Sequence, residues 1–449
     1  MGRLFGTNGI RGVPGRELTP ELIMAVGRAV SERLGGRIAV GRDGRSSSPM
    51  MSELMVSTLL DSGSDVCDAG VLPTPALQYY AGSGGFDGGV MITASHNPPE
   101  FNGIKVMGPN GTEISRETEG EIEALVASEG RKRGPKPGGL RQGTDAIERY
   151  LQAVVGHALS ERIRSAGLKV VVDAGNGMQA LAVPELLGRL GCSAVCLNCE
   201  VDGGFPGRGS EPALEKLGGL SKAVVDAGAN LGVAFDGDGD RSVFCDEKGT
   251  VYTGDRSGSL LVDHILSTGG RGKVVTTVAT SKIVEWAVRK NDSELVLTRV
   301  GSVDVTHAMV TQGCVAGLEE NGGFFYAPHQ PVRDGAMALV LMLNVLAERR
   351  KKLSEAMAEL PAFYQRKGKV PSGKADVTRA LSEDAGGAQV DLTDGVKLSF
   401  GDGSWVLVRP SGTEPLIRVF AEAKTENRAE ELYEKYFGIV RKLTTKKAA

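Results

Sequence analysis

Three stretches of the 449-residue chain repeat one order of signals: an apolar run, a helical stretch, a second run, then a third run that stops at a polar loop. The first copy has runs at 37–40, 65–71 and 89–93, with a helical stretch at 48–60. The second has runs at 169–172, 193–197 and 231–235 and a helix at about 180–190; the third has runs at 273–278, 294–300 and 314–318 and a helix at about 281–290. Strands separated by helices pair in parallel, and a parallel sheet needs helices on its faces. Ahead of the first copy, Thr19 is placed to cap a helix that opens on Pro20, carries Leu22, Val26, Val30 and Leu34 at spacing four, and stops at Gly35-Gly36.

The third runs end in Thr93-Ala94-Ser95-His96-Asn97-Pro98, in Asp236-Gly237-Asp238-Gly239-Asp240-Arg241 and in Glu319-Glu320-Asn321-Gly322-Gly323. Open α/β sheets bind ligands beyond the carboxyl ends of their strands, so three such units facing one another pool three loops in one cleft. From about residue 362 the pattern changes. Runs at 390–392, 396–400, 405–408 and 416–423 are joined by the hairpin signals Asp394-Gly395 and Asp402-Gly403, and a charged helix follows at about 427–443. The expected fold is α/β: three tandem α/β domains (1–147, 148–250, 251–361) with helix-covered mixed, largely parallel sheets, plus a C-terminal α+β domain (362–449), arranged around a central active-site cleft. In the last domain Arg409-Pro410-Ser411-Gly412-Thr413-Glu414-Pro415 offers an arginine, two hydroxyls and backbone N–H groups around a glycine, a cradle for phosphate.

Composition removes other classes. The formal charge is −3 and no run of five or six like charges occurs, so the electrostatic footprint of a nucleic-acid binder is absent. The longest apolar run, Met337 to Leu343, is far short of the roughly 18 residues of a membrane span. The start has no apolar secretory core, and Gly6 stands where a myristoylation signal needs Ser or Thr. Six cysteines are too few for a disulfide framework and suit a reducing cytoplasm, where the protein is expected. Cys192, Cys196 and Cys199 lack a nearby fourth ligand; the first two read as part of a buried strand, which favours packing over zinc.

In an extended stretch, residues at i, i+2 and i+4 point to one side, so Asp236, Asp238 and Asp240 converge on one hard cation, Mg²⁺ or Ca²⁺. An EF-hand does not fit, because Arg241 occupies the sixth position and strands flank the loop. Ser95 lacks the glycine-flanked elbow of acyl-transfer hydrolases, and by itself reads equally as an ordinary serine turn. Facing the metal loop, it could carry a phosphoryl group whose charge the cation, Arg241, Lys105 and His96 neutralise. The third loop suits vicinal sugar hydroxyls, against a plain helix-capping turn; the fourth suits the distant phosphate of a sugar phosphate, against a simple turn.

In this order, and with Phe5-Gly6-Thr7-Asn8-Gly9-Ile10-Arg11-Gly12 and Asn102-Gly103-Ile104-Lys105, these motifs resemble the α-D-phosphohexomutases over nearly the whole chain. The resemblance implies a four-domain isomerase, an intramolecular phosphotransferase interconverting hexose 6-phosphate and hexose 1-phosphate. Ser95 would give its phosphoryl group to the sugar phosphate, the bisphosphate would reorient, and its other phosphate would return to Ser95. One Mg²⁺ per chain is implied, on Asp236, Asp238, Asp240 and an oxygen of phospho-Ser95, with a hexose 1,6-bisphosphate as activator and intermediate. Arg11, His96 and Lys105 match positions beside the transferred group, Lys105 carrying a proton if desolvation lowers its pKa. Arg241, Glu319 and Asn321 match sugar contacts; Arg409, Ser411, Gly412 and Thr413 match the phosphate loop. The partners are then small sugar phosphates. The oligomeric state is open, a homodimer included.

Many members have serine, glycine and histidine where this chain has Asn321-Gly322-Gly323, so the histidine proposed there as acid or base is absent, and His329 is the residue to ask about. This loop and the start Leu4-Phe5-Gly6-Thr7 resemble the archaeal phosphoglucosamine mutase-like branch, whose members also act on glucose and mannose phosphates. Adjacent Glu319 and Glu320 would favour a cationic amino group through charge-assisted hydrogen bonds, which points to glucosamine phosphate. The alternatives are a phosphomannomutase/phosphoglucomutase, a sugar-phosphate- or Ca²⁺-binding protein without turnover, and a hydrolase using phospho-Ser95.

Overall fold

The computed structural model describes residues 4–128, 136–373, 377–383, 385–411 and 416–445. The first sheet holds β1 (Ile10–Gly12), β2 (Arg37–Arg42), β3 (Asp65–Val71), β4 (Gly88–Ile92), β5 (Asn102–Met107) and β6 (Leu140–Gln142), in the order β1-β5-β4-β2-β3-β6. The second holds β7 (Lys169–Asp173), β8 (Ser193–Leu197), β9 (Leu231–Phe235) and β10 (Ser242–Asp246), ordered β10-β9-β7-β8. The third holds β11 (Lys273–Thr277), β12 (Leu295–Thr298), β13 (Cys314–Leu318), β14 (Phe324–Tyr326) and β15 (Gln330–Arg333), ordered β12-β11-β13-β14-β15. Each has the same heart: three parallel strands in which the first of the unit lies between the second and the third. Each third strand then turns back into an antiparallel neighbour, β5, β10 or β14. The three polar loops are those turns.

Alternation along the central strands feeds two cores per sheet. Ile38 and Val40 of β2 face one core and Ala39 another; Val170 and Val172 of β7 are separated in the same way from Val171, and Val274 of β11 from Val275. One core runs on through all three units, from Leu77 and Met91 through Leu151 and Leu187 to Leu261 and the helix Gly335–Arg349. The apolar run Met337 to Leu343 belongs to that helix, whose residues from Gly335 to Ala347 are all buried. No helix among the described residues is long and apolar enough to cross a membrane.

The helix Pro20–Leu34 forms as the sequence requires: Thr19 accepts from the Leu22 amide, and Gly35 follows at φ 68°. Its buried face centres on Ile23, Val26 and Val30, with Leu22 and Leu34 at the margins. The stretch at 180–190 is broken. A 3₁₀ turn, Met178–Leu181, gives way at Ala182 to the helix Val183–Arg189, which carries Pro184 in its first turn. β8 corrects the buried-strand reading of the cysteines: it is a sheet edge with Cys196 exposed, while Cys192 precedes it and is buried.

The fourth sheet holds β16 (Tyr364–Pro371), β17 (Gln389–Asp391), β18 (Val396–Ser399), β19 (Trp405–Pro410) and β20 (Leu416–Ala423), ordered β16-β20-β19-β18-β17 and antiparallel throughout. Gly395 (φ 78°) and Gly403 (φ 85°) lie in the turns of the β17–β18 and β18–β19 hairpins, and the helix Glu426–Thr445 covers the sheet. β16 has no apolar run; it is placed by pairing with β20, by Val370 in the core and by the ion pairs of Arg366 with Glu426 and Glu430 of the covering helix.

Candidate active site

Ser95 follows β4 at φ 52°, a left-handed conformation that costs a non-glycine residue and is held by its surroundings. Thr93 Oγ1 accepts from the Ser95 amide (2.9 Å) and donates to Asp43 (2.7 Å). Arg45, 1% exposed, donates to Asp43 (3.0 Å) and to the carbonyls of Ser95 (2.8 Å), Asn97 (2.7 Å), Pro98 (2.6 Å) and Phe101 (2.9 Å). From the second unit, Ser210 Oγ reaches the carbonyls of His96 (2.7 Å) and Asn97 (2.8 Å), and the Phe205 ring lies 4.9 Å from the Arg45 guanidinium. The loop so clamped aims a fully buried hydroxyl at the acidic loop: Ser95 Oγ donates to Asp236 Oδ2 (2.8 Å) and lies 3.4 Å from His96 Nδ1.

The three aspartates offer oxygens within 4.8 Å of one another. They converge through a tight turn and not through an extended stretch: the Gly239 amide donates to the Asp236 carbonyl (3.1 Å), and Gly239 has φ 78°. A Cβ at Gly237 would stand 2.5 Å from the Ser95 carbonyl oxygen, so glycine there lets the two loops touch. Asp238 Oδ2 accepts from Lys105 (2.6 Å) and Thr74 (2.6 Å); Asp240 Oδ2 accepts from Lys105 (3.1 Å) and Arg333 (2.6 Å). Burial, then Asp240 and Asp238, pushes Asp236 up to about 7. Burial acts upward on Asp238 too, but Lys105, Thr74 and Arg333 outweigh it and hold Asp238 well below the usual carboxylate range. Oδ1 of Asp238 and of Asp240 are buried without a hydrogen bond. Hard oxygens with unused lone pairs beside a serine hydroxyl fit Mg²⁺, which the triad and Ser95 would hold.

Cations ring this centre. Arg11, on β1, bonds Asn97 of the serine loop; burial first of all lowers it to about 10, which leaves it charged at neutral pH. Arg241 Nε lies 3.8 Å from Asp236 and 3.9 Å from Asp240, buried and without a hydrogen bond. Burial and the neighbouring Arg241, Arg11, Arg333 and Lys105 drive His96 well below the usual range, so its imidazole is neutral.

The third loop is a strand-to-strand turn, not a helix cap. The Glu319 amide donates to the Gly323 carbonyl (2.8 Å), and Asn321 Oδ1 accepts from the Gly323 amide (3.1 Å). It is stitched to the metal loop by a bridge between Arg241 and Gly323 and by the Ser242 amide on the Gly322 carbonyl (3.0 Å). Glu319 is raised by burial and pairs with Arg333 (3.4 Å); Glu320 pairs with Lys367 of β16. Both glutamates therefore already face cations, and the electrostatic argument for an amino sugar loses its basis. Arg409 of β19 pairs with Asp394 (2.8 Å), and the Ser411 amide closes its loop on the Leu416 carbonyl (2.7 Å); Gly412 and Thr413 lie outside the described residues. His329 does not replace the missing histidine. Its side chain is 1% exposed, stacked on Tyr79 (5.2 Å), 3.3 Å from Asp334 and packed against Tyr150 and His157.

The structure thus gathers Ser95, His96, Arg11, Lys105, the three aspartates, Arg241 and Glu319, while Arg409 pairs within the fourth unit. Asp43, Arg45, Thr74 and Arg333 belong to the same network and were not read from the sequence. Asp43 and Arg45 follow the carboxyl end of β2 and Thr74 that of β3, the side of the sheet where a ligand site forms, and that placement is the signal that could have found them.

Repeated α/β units whose strand-end loops gather a serine, a carboxylate triad and several cations define an enzyme class, that of metal-assisted phosphoryl transfer. Comparison with known proteins narrows it. The phosphoglucomutase/phosphomannomutase alpha/beta/alpha domains I, II and III match residues 2–133, 148–249 and 253–364, and the C-terminal domain matches 342–438. A phosphoglucomutase/phosphomannomutase of Thermococcus kodakarensis is 42% identical over 97% of both chains. A phosphoglucosamine/phosphogalactosamine mutase of Sulfurisphaera tokodaii is 40% identical, covering 96% of this chain and 98% of its own. The crystal structure of a phosphoglucomutase/phosphomannomutase family protein from Burkholderia thailandensis superposes with a TM-score of 0.87 at 26% identity, covering 98% of each chain. The chain belongs to the phosphoglucomutase/phosphomannomutase family, the phosphohexomutases, which are isomerases.

Proposed function

We propose that this phosphohexomutase carries the transferred phosphoryl group on Ser95 and interconverts hexose 6- and 1-phosphates, glucosamine 6-phosphate among them. The observation that carries the reading is the buried Ser95 hydroxyl, 2.8 Å from Asp236, in a loop bonded by Arg11 and facing aspartates paired with Lys105 and Arg241. In each half-reaction the phosphorus–oxygen bond to one hydroxyl breaks as the bond to the other forms, so positioning and charge neutralisation are the protein's main task. Bound Mg²⁺ would supply part of that neutralisation. Arg11 and Arg241 meet the phosphoryl oxygens, the clamped loop fixes the line of attack, and the proton that leaves the attacking hydroxyl is regained by the departing oxygen, with His96 beside Ser95 Oγ to relay it on the serine side. Arg409, Ser411, Gly412 and Thr413 anchor the distant phosphate, and Glu319 and Asn321 hold the sugar hydroxyls.

Relatives named for glucosamine phosphates support the amino sugar, the Sulfurisphaera enzyme and a probable phosphoglucosamine mutase of Methanopyrus kandleri at 41% identity among them. A second reading, neutral hexoses, is favoured by the pairing of Glu319 with Arg333 and of Glu320 with Lys367. The test is mass spectrometry of Ser95 after incubation with hexose 1,6-bisphosphate, followed by discharge with glucosamine, glucose or mannose 6-phosphate. One phosphoryl group on Ser95, lost to the sugar with the highest kcat/KM, is expected. A Ser95 that stays unmodified while turnover proceeds would overturn the mechanism.

A further inference from the structure

Gly323 has no room for a side chain. A Cβ there would stand 2.6 Å from Arg333 Cδ, 3.1 Å from Arg333 Cγ and 3.1 Å from Glu319 Oε2. Arg333, the last residue of β15 and 3% exposed, fills the volume that a residue at 323 would enter. Its Nη2 donates to Asp240 Oδ2 (2.6 Å), its Nη1 reaches Glu319 Oε2 (3.4 Å), and its Nε is buried without an acceptor. The backbone behind it is fixed, because the Gly335 amide donates to the Gly239 carbonyl (3.3 Å) and Asp334 caps the following helix. The two carboxylates it touches belong to different units, Asp240 to the metal loop and Glu319 to the sugar loop. A planar guanidinium can bridge two carboxylates at once, whereas a lysine presents one charged nitrogen.

We propose that Arg333 is a positioning residue for hexose phosphate, occupying the space over Gly323 and fixing the Glu319 carboxylate relative to the metal loop. The proposal rests on the reading of this site as a hexose phosphate site. It makes the glycine at 323 a requirement set by Arg333: a side chain there acts by displacing the arginine, leaving Glu319 buried without its counter-charge.

Calorimetric binding of glucose 6-phosphate in Mg²⁺ buffer tests this on a non-transferring Ser95→Ala parent, with Gly323→Ala and Arg333→Ala added singly and together. Each single change is expected to raise Kd at least tenfold, and Gly323→Ala is expected to add less than twofold once Arg333 is already alanine. Arg333→Lys is expected to bind no better than Arg333→Ala. Thermal unfolding of each variant separates loss of binding from loss of fold; if Arg333→Ala does not fold, Arg333→Gln completes the same cycle. Equal Kd effects of Gly323→Ala in both backgrounds, or an Arg333→Ala protein binding within twofold of its parent, would overturn the proposal while the site reading stands. A parent that binds none of the glucose, mannose and glucosamine 6-phosphates would overturn both.

Discussion

Arg45 shows how much of a site can rest on one side chain that never meets a substrate. It serves four carbonyls of the serine loop and Asp43, and its guanidinium has no surface exposed to speak of. A lysine would keep the charge but leave buried carbonyls unpaired, each costing about 1–3 kcal/mol. Arg45→Lys is therefore expected to slow phosphorylation of Ser95 by hexose 1,6-bisphosphate at least tenfold, read by quenched-flow mass spectrometry; an unchanged rate would separate the loop's strain from its function. Ser95→Ala is expected to lower kcat by more than a thousandfold while the melting temperature falls by only a few degrees, since the change removes one buried hydrogen bond to Asp236 and no core volume. At this scale Ser95 and the aspartates were legible because they crowd a strand end with unusual residues. Arg45 and Arg333 were not, because their meaning lies in contacts 50 and 14 positions away that no local spacing encodes.

Among the elements, the helix Gly335–Arg349 joins site and core. Its cap, Asp334, accepts from the Met337 amide (3.0 Å), the Tyr150 hydroxyl (2.6 Å) and Gln330 (3.0 Å). Asp334→Ala removes a cap and strands a buried phenol, together about 2–4 kcal/mol. A fall of several degrees in melting temperature is expected by calorimetry, and Asp334→Asn, which keeps an acceptor, should lose less than half as much. The central parallel strands were legible because burial on both faces demands continuous β-branched runs. The helix Thr74–Ser83 was not, since a helix buried on most sides loses its amphipathic stripe. β1, β14 and β15, of three or four residues each, are too short for any period to show.

Across the whole molecule, the repeat foretold a common sheet plan, and the loops at its turns tie the units together: serine loop to metal loop, metal loop to sugar loop, sugar loop to β16 through Glu320 and Lys367. The fourth unit docks on the third through Trp405, Leu407 and Phe420 against Val278 and Ala279. Lys397 lies inside that contact, donating to the Val278 carbonyl (2.7 Å) with its ammonium 4.2 Å from the Trp405 ring centre. Burial lowers it from 10.5 to about 8, against the pull of Glu422 and Asp391. Between those two values the unfolded chain holds a proton that the folded chain has released, so raising the pH favours folding; the lysine's contribution is complete above 10.5 and is lost as pH falls through 8. The difference in unfolding free energy between wild type and Lys397→Met should thus stay level below pH 8. Above it, the difference should climb by at most about 1.4 kcal/mol per pH unit, measured by denaturant titration with tryptophan fluorescence. A level difference across the whole range would mean that the ammonium keeps its hydration at the contact, and that Lys397 adds nothing to the docking of the fourth unit that depends on its charge.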